Sequence, residues 1–342
     1  MKKIQKNKKK RLSSLLLLLF LTVIMLGTST YAWFTANRTV TIEKIDVNVA
    51  TSSGLQVSTD ATNWKTKISN SDITSGYTAA VNQFPSELNP VSTNGDVDAT
   101  TGYINMYSGV VGTNETGDFV LTSTKLADTK GSTGSYIAFD IFLKADKDTP
   151  VYLTTDANVI PKSNADGSAG TDTGLKNAAR VAFAVEGNVP STNTVASMQA
   201  LKAATKSNVV IWEPNADSHS ANGVTAAFQY YGKTVTAGTG NTALAYDGIK
   251  APIATGIKLS STNVNVTAST DYFETISNTS GIAKLITTNT TPSAYSQLVN
   301  LTAGVTKVRV YMWIEGNDVD CENNASGSNI TYNLVISQNS EA

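Results

Sequence analysis

The sequence predicts a mainly all-β protein, a β-sandwich with long loops and one or two short helices. Short segments alternate between apolar and polar residues, which is the period of a strand with one buried face. The segments between them are rich in Gly, Ser, Thr and Asn, the residues of turns and loops, and helix signals are few. Many short strands joined by polar turns are typical of a β-sandwich.

Nine segments have the pattern of strands. Residues 136–143 form the densest apolar run, as expected for a central strand, and 307–315 is the clearest strand of all. Asn193 is a suitable N-cap for a helix over 194–205, and 174–179 fits one short helical turn. The predicted strands are residues 39–42, 45–49, 55–57, 136–143, 151–153, 180–185, 209–212, 307–315 and 329–336.

Composition excludes several classes of protein. Hydrophobic residues make up 41% of the chain, enough for a core, so disorder is not expected. Seven of the 26 Lys and Arg residues lie in the first eleven positions, which leaves 19 basic against 27 acidic residues elsewhere. An acidic body argues against binding nucleic acid. One Cys and one His exclude an intramolecular disulfide, an HExxH helix and a Cys/His zinc cage.

The first 32 residues have the layout of a secretory signal peptide. A basic start is followed by the apolar run 15–26 and by a stretch of small residues that ends at Ala32. Cleavage is predicted between Ala32 and Trp33. The alternative is an uncut anchor over 15–34, long enough to span a bilayer. In both cases the rest of the chain is expected outside the cell, with the membrane contacted only through this segment.

The remainder, 33–342, is predicted to be one elaborated β-sandwich domain. No Pro-rich or Gly/Ser-rich linker divides it, and it shows no convincing internal repeat. Its loops are long, for example at 163–174 and 234–242.

An acidic loop follows the strand at 307–315. Asp318, Asp320 and Glu322 stand at alternate positions, and carboxylates gathered in a loop can bind Ca²⁺. The spacing does not match an EF-hand loop, and the alternative is a solvated acidic turn. Apart from calcium, no cofactor is expected.

Two single residues are candidates for catalytic groups. Nearby carboxylates disfavour a reactive thiolate at Cys321, so a buried or incidental thiol is expected. His219 follows Asp217 and Ser218, but sequence neighbours rarely form a Ser-His-Asp triad. The expectation is a histidine in a surface loop.

Three aromatic residues could stack on sugars if they were exposed. These are Trp212, Tyr230 and Tyr231, for which packing inside a sandwich is the alternative.

The junction at 27–35 reads Gly-Thr-Ser-Thr-Tyr-Ala-Trp-Phe-Thr. It resembles the leaders of Gram-positive exported proteins that need the SipW-type signal peptidase, above all the TasA and camelysin family of biofilm-matrix and cell-surface proteins. The resemblance implies a jelly-roll-type sandwich and fibres in which an N-terminal strand, here 33–49, completes the sheet of the next copy. Camelysin is described as a metalloprotease, but the single His219 leaves no recognisable zinc site, so that activity is not carried over.

Three functions remain open. The first is an exported structural protein of the cell surface or biofilm matrix that self-associates, with a signal peptidase as its partner during export. The second is an adhesin or glycan-binding module that uses exposed aromatic residues. The third is an exported hydrolase that uses carboxylates, although no pair of acids stands out in the sequence.

Overall fold

The computed structural model describes residues 40–50, 54–116, 119–203, 205–241, 243–259, 270–277, 283–287, 296–322, 325 and 328–338. The leader 1–32 and the predicted cleavage site at Ala32 and Trp33 lie outside these ranges. Within them, no helix is long and apolar enough to cross a membrane.

The described residues form nineteen strands and three short α-helices. The strands are β1 (Val40–Ala50), β2 (Gln56–Ser58), β3 (Lys67–Ile68), β4 (Glu87–Leu88), β5 (Val91–Ser92), β6 (Met106–Thr113), β7 (Phe119–Leu126), β8 (Ile137–Ala145), β9 (Thr149–Leu153), β10 (Asn158–Pro161), β11 (Ala179–Val189), β12 (Val209–Trp212), β13 (Asp247–Ile249), β14 (Ile253–Leu259), β15 (Phe273–Thr275), β16 (Lys284–Ile286), β17 (Ser296–Leu301), β18 (Gly304–Ile314) and β19 (Asn329–Ser337). The helices are α1 (Asn70–Ser75), α2 (Val195–Gln199) and α3 (Ala221–Tyr231).

The strands belong to three main sheets and one small pair. The outer sheet has the order β17-β9-β19-β1-β3, with β10 also paired to β19 and β4 to β1. The central sheet has the order β16-β12-β11-β18-β8-β2, and the third sheet β14-β7-β6-β5. Strands β13 and β15 pair with each other. The prediction of an all-β, sandwich-like fold is confirmed.

The main core lies between the outer and central sheets. Phe139, Phe183 and Trp212 of the central sheet share one buried cluster with Val47 and Leu334 of the outer sheet. Side chains alternate between the two faces of a strand, so each of these strands contributes every second residue to this core.

The other face of the central sheet is buried as well. There, Ala182, Ile211 and Trp313 pack against Met106 of the third sheet and Tyr246. All eleven residues of β18 are therefore buried. Alternation of polar and apolar residues usually marks a strand with one face in water, but the polar residues of β18 face a second interior.

The helices agree with the predictions only in part, and the short helical turn at 174–179 is the part that is confirmed. The predicted helix over 194–205 forms only as α2, and its cap is Thr194 rather than Asn193, because the Thr194 side chain accepts from Ser197 N. The predicted turn at 174–179 is a 3-10 helix, Leu175–Ala178. Helix α3 was not predicted, although Ser220 caps its start and Gly232 ends it in the left-handed region.

We expect Phe139→Ala to lower the free energy of unfolding by about 3–5 kcal/mol, because it leaves a cavity in the main core. Phe139 is 0% exposed, whereas Phe228 of α3 is 59% exposed. The matched variant Phe228→Ala should change stability by less than about 0.5 kcal/mol. Urea unfolding of both variants measures the difference. Equal losses would contradict this assignment of the core.

Candidate functional site

Charged residues lie on the buried second face of the central sheet. On β18 the residues that point to this face are, in order, Lys307, Arg309, Tyr311 and Trp313, and Glu315 follows directly after the strand. β11 places Arg180 there and β8 places Asp140. Burial of a charge is costly unless it is paired, so each of these groups needs a partner inside the protein.

One group of these charges is largely balanced. In this lysine–arginine cluster, Arg309 Nη1 donates to Asp140 Oδ1 at 2.6 Å and Nη2 donates to Asp128 Oδ2 at 2.7 Å. Lys307 Nζ lies 2.6 Å from Glu186 Oε2 and 3.3 Å from Asp140 Oδ2. Its two cations meet three carboxylates at short distances, and it joins β8, β11 and β18. We assign it to the stability of the fold.

The second group lines a cavity at the other end of β18. We call it the carboxylate cavity, and its centre is Arg180 with Glu213 and Asp318. Arg180 Nη2 lies 2.5 Å from both Glu213 Oε1 and Asp318 Oδ2. The guanidinium group also lies 5.4 Å from the ring centre of Tyr246, close enough for a cation–π contact. The cavity is lined by Asn177, Arg180, Glu213, Asn215, Ala216, Ser218, His219, Lys233, Leu244, Ala245, Tyr246, Asp247, Glu315, Asn317, Asp318 and Val319.

Glu315 is the most completely bonded acid of the cavity. Its Oε2 accepts from the Tyr246 hydroxyl at 2.8 Å and from Trp313 Nε1 at 3.0 Å. Its Oε1 accepts from the backbone N–H of Asn317 at 3.1 Å. These donors can stabilise a buried carboxylate, although burial raises the pKa of Glu315.

His219 forms an ion pair with the acidic loop. Its Nδ1 lies 3.1 Å from Asp320 Oδ2, and because a carboxylate only accepts, Nδ1 carries the proton. The backbone N–H of Ser220 donates to Asp320 Oδ1 at 2.7 Å. The hydrogen bond that His219 donates to Asp320 raises the pKa of His219. A Cβ at Gly223 would collide with this carboxylate, which explains the glycine in the first turn of α3.

Several buried polar atoms around the cavity have no hydrogen-bond partner among the described residues. They belong to side chains that are only 5–8% exposed: Asn177, Glu213, His219 and Asn317. The atoms are Asn177 Oδ1, Glu213 Oε2, His219 Nε2 and Asn317 Oδ1, and the N–H group at Arg180 Nε has no partner among the described residues either. Such atoms cost free energy unless water or a ligand meets them, so the cavity offers hydrogen-bonding positions to water or to a small ligand.

The size of the cavity limits what it can hold. About 40 Å³ is open to water-sized molecules, room for a few waters, whereas sites for small organic ligands enclose about 300–1,000 Å³. Burial raises the pKa of Glu213 to about 7, so this carboxyl group can exchange a proton near neutral pH. An acid and a histidine in one cavity can move protons, but the open volume of about 40 Å³ is far below that of sites for small organic ligands.

The three predicted calcium ligands do not point to one centre. Asp318 binds Arg180 and Asp320 binds His219, while Glu322 is buried. In the part of the chain that the structure describes, no group of three or more His, Cys, Asp or Glu residues is placed to hold a metal. The solvated-turn alternative is wrong, because these carboxylates lie inside the protein.

The other candidate residues are placed as follows. The expectation of a surface loop at His219 is wrong, since this residue is 7% exposed. Cys321 is buried, as expected. Trp212 is fully buried in the main core, so it packs and does not stack on sugars. The side chains of Tyr230 and Tyr231 lie outside the described residues.

The triad reading at 217–219 has no support in the geometry. Ser218 Oγ donates to Asp217 Oδ1 at 3.1 Å, and His219 turns instead to Asp320, 101 residues further along the chain.

Sequence reasoning missed Arg180, Glu213, Glu315 and Asn317. Glu213 and Glu315 each follow the last residue of an apolar strand, β12 and β18. This position of a carboxylate, directly after a strand of the central sheet, is the one feature of the sequence that could have pointed to the site.

We expect the pH dependence of stability to change in Glu213→Gln. The pKa of Glu213 is about 7 in the folded protein against 4.5 for an exposed glutamate, so folding favours the protonated form. The wild-type free energy of unfolding should therefore fall, relative to the variant, as pH rises from 4.5 to about 7. Urea unfolding across this range, without divalent cations, measures the difference.

The matched control is Glu115→Gln, which changes an exposed glutamate between β6 and β7. Its curve should run parallel to the wild-type curve. If the Glu213→Gln curve did so too, Glu213 would not be the titrating group.

Comparison of the chain with family models, curated proteins and solved structures returns no match. A role for the carboxylate cavity therefore has to be argued from its own atoms.

Proposed function

We propose that the protein is an exported structural protein of the cell surface or biofilm matrix, whose copies join by exchange of strand β1. One observation carries this proposal. The first described strand, β1, pairs in parallel with the last strand, β19.

The contact between these two strands is extensive. Eight residue pairs run from Thr41 opposite Asn329 to Ala50 opposite Ser337. On its other side, β1 meets only the two-residue strands β3 and β4. Val47 is buried in the main core. Without β1, the edge of β19 and part of the core would be open, and an open edge accepts an added strand through main-chain hydrogen bonds.

The connectivity allows the added strand to come from another copy. After β1 the chain passes to β2, which belongs to the central sheet and pairs with β8. β1 is thus joined to its own sheet by hydrogen bonds and packing, not by a hairpin with β19. The same contacts can form between two copies, and a head-to-tail exchange that does not close gives filaments.

Two further points support an exported structural role. The leader at 1–32 has the layout of a secretory signal, and it resembles the leaders of the TasA and camelysin family. The small volume of the carboxylate cavity, about 40 Å³, also favours the structural role over the hydrolase alternative.

Disulfide trapping tests the exchange of β1. Asn48 lies opposite Val335 in the register, and cysteines at paired positions are close enough to be bridged. We expect Asn48→Cys and Val335→Cys chains, produced together in the same cells, to form a disulfide between chains. Non-reducing electrophoresis and intact mass would show the mixed dimer.

The matched control combines Asn48→Cys with Asn329→Cys. Asn329 lies opposite Thr41, at the other end of the ladder, so this pair is too far apart to bridge. If the Asn48→Cys and Val335→Cys mixture gave no dimer above this control, β1 would stay in its own chain and the exchange would be refuted.

We expect the released protein to begin at Trp33. Intact mass spectrometry of protein recovered from the cell surface reads the first residue directly. Ala32→Trp should retain the leader, because signal peptidase requires a small side chain there, whereas Phe34→Leu should still be cut. A wild-type protein that keeps residues 1–32 would instead indicate the uncut anchor.

A further inference from the structure

We propose that the carboxylate cavity binds a calcium ion, held by Glu213 Oε2, Asn317 Oδ1 and Asn177 Oδ1, with water at the remaining positions. This site is different from the loop set Asp318, Asp320 and Glu322. It is also independent of the exchange of β1.

The orientation of two of the three proposed ligand atoms, those of Asn317 and Glu213, is fixed by other bonds of the same side chains. Asn317 Nδ2 donates to the backbone oxygen of Asp247 at 2.8 Å, so its Oδ1 must be the amide atom left without a partner. Glu213 Oε1 is held by Arg180, which leaves Oε2 free. Both side chains line the cavity. The surrounding bonds therefore already set oxygen ligands before any ion arrives.

The charges near the cavity favour a cation. The lining contains three largely buried carboxyl groups, of Glu213, Glu315 and Asp318, and one buried guanidinium group, that of Arg180, while His219 is paired with Asp320. The only other cation of the lining, Lys233, is exposed to solvent. Each unpartnered buried acceptor destabilises the folded protein, and an ion at this place would satisfy several acceptors at once.

The donor set and the space select calcium. Calcium accepts carboxylate and amide oxygens in irregular geometry and completes its shell with water. Magnesium requires a nearly ideal octahedron, and zinc prefers thiolate and imidazole, of which the lining offers only His219. A space of about 40 Å³ holds an ion with a few waters but no organic ligand.

The proposed ligands come from three places on the central sheet. Asn177 lies in the 3-10 helix before β11, Glu213 follows β12, and Asn317 follows β18. An ion bound there would link the ends of three strands, β11, β12 and β18. Since it binds only the folded state, it should raise the melting temperature in proportion to the logarithm of its concentration.

Thermal unfolding of the full-length chain tests the site. We expect CaCl₂ at about 1 mM, the range of weak extracellular calcium sites, to raise the wild-type melting temperature by a few degrees. MgCl₂ and NaCl at matched ionic strength should not. Glu213→Gln should abolish the rise, because it removes a charged ligand, and the exposed control Glu115→Gln should retain it.

Terbium luminescence provides a second readout that does not depend on stability. Tb³⁺ replaces Ca²⁺ at oxygen sites, and Tyr246 in the lining can transfer excitation to it. We expect sensitised emission that Ca²⁺ displaces, and binding about tenfold or more weaker in Asn317→Ser. If Glu213→Gln fails to fold, the terbium measurement on Asn317→Ser still tests the site.

Two results would overturn the proposal. One is a wild-type melting temperature that Ca²⁺ leaves unchanged. The other is a calcium response that survives in both Glu213→Gln and Asn317→Ser, which would place the ion elsewhere on the chain.

Discussion

Burial of both faces of the central sheet is the constraint on which the rest of the structure depends. Strand β18 lies in the middle of that sheet, and every one of its eleven residues is buried. Its charged side chains cannot reach water, and desolvation of a charge is repaid only by close partners. The segments that supply those partners, such as the one that contains Asp128, the partner of Arg309, therefore pack against the sheet.

The two charged clusters meet this constraint differently. In the lysine–arginine cluster, Lys307 also donates to the backbone oxygens of Gln199 and Leu201, so its charge is met on several sides. In the carboxylate cavity, oxygen atoms of Asn177, Glu213 and Asn317 without hydrogen-bond donors line one open space. Water or an ion can enter that space, so the cavity is the better candidate for function.

The central sheet could be predicted from sequence because its strands carry strong apolar runs. Residues 136–143, 180–185, 209–212 and 307–315 fall within or mostly within β8, β11, β12 and β18. The third sheet was missed, because a strand such as Met106–Thr113 contains two glycines and few branched apolar residues. Whether such a strand forms depends on its packing against the central sheet, and a local sequence pattern carries no information about that contact.

The carboxylate cavity lay beyond prediction for a related reason. Arg180 and Asp318 are 138 residues apart in the chain, and only the pairing of β11 with β18 brings them together. The sequence does show the acidic loop after β18. Taken as a local loop, it predicts that its carboxylates bind one ion together. In the fold they turn to separate partners, Arg180 and His219, on β11 and before α3.

The position of the two proposed sites in the layers explains why they are independent. β1 belongs to the outer sheet and contributes Val47 to the main core, whereas the cavity lies across the central sheet, on its far face. The shared element is β18, whose apolar residues face β1's core and whose polar residues face the second interior. Between β1 and the cavity lies a strand that is hydrogen-bonded on both sides, to β8 and to β11, and a second connection is the hydrogen bond from Asn215 of the lining to the backbone oxygen of Val159 in β10. Such a strand is held in place by its neighbours, so assembly at one face can proceed without disturbing the ligands at the other.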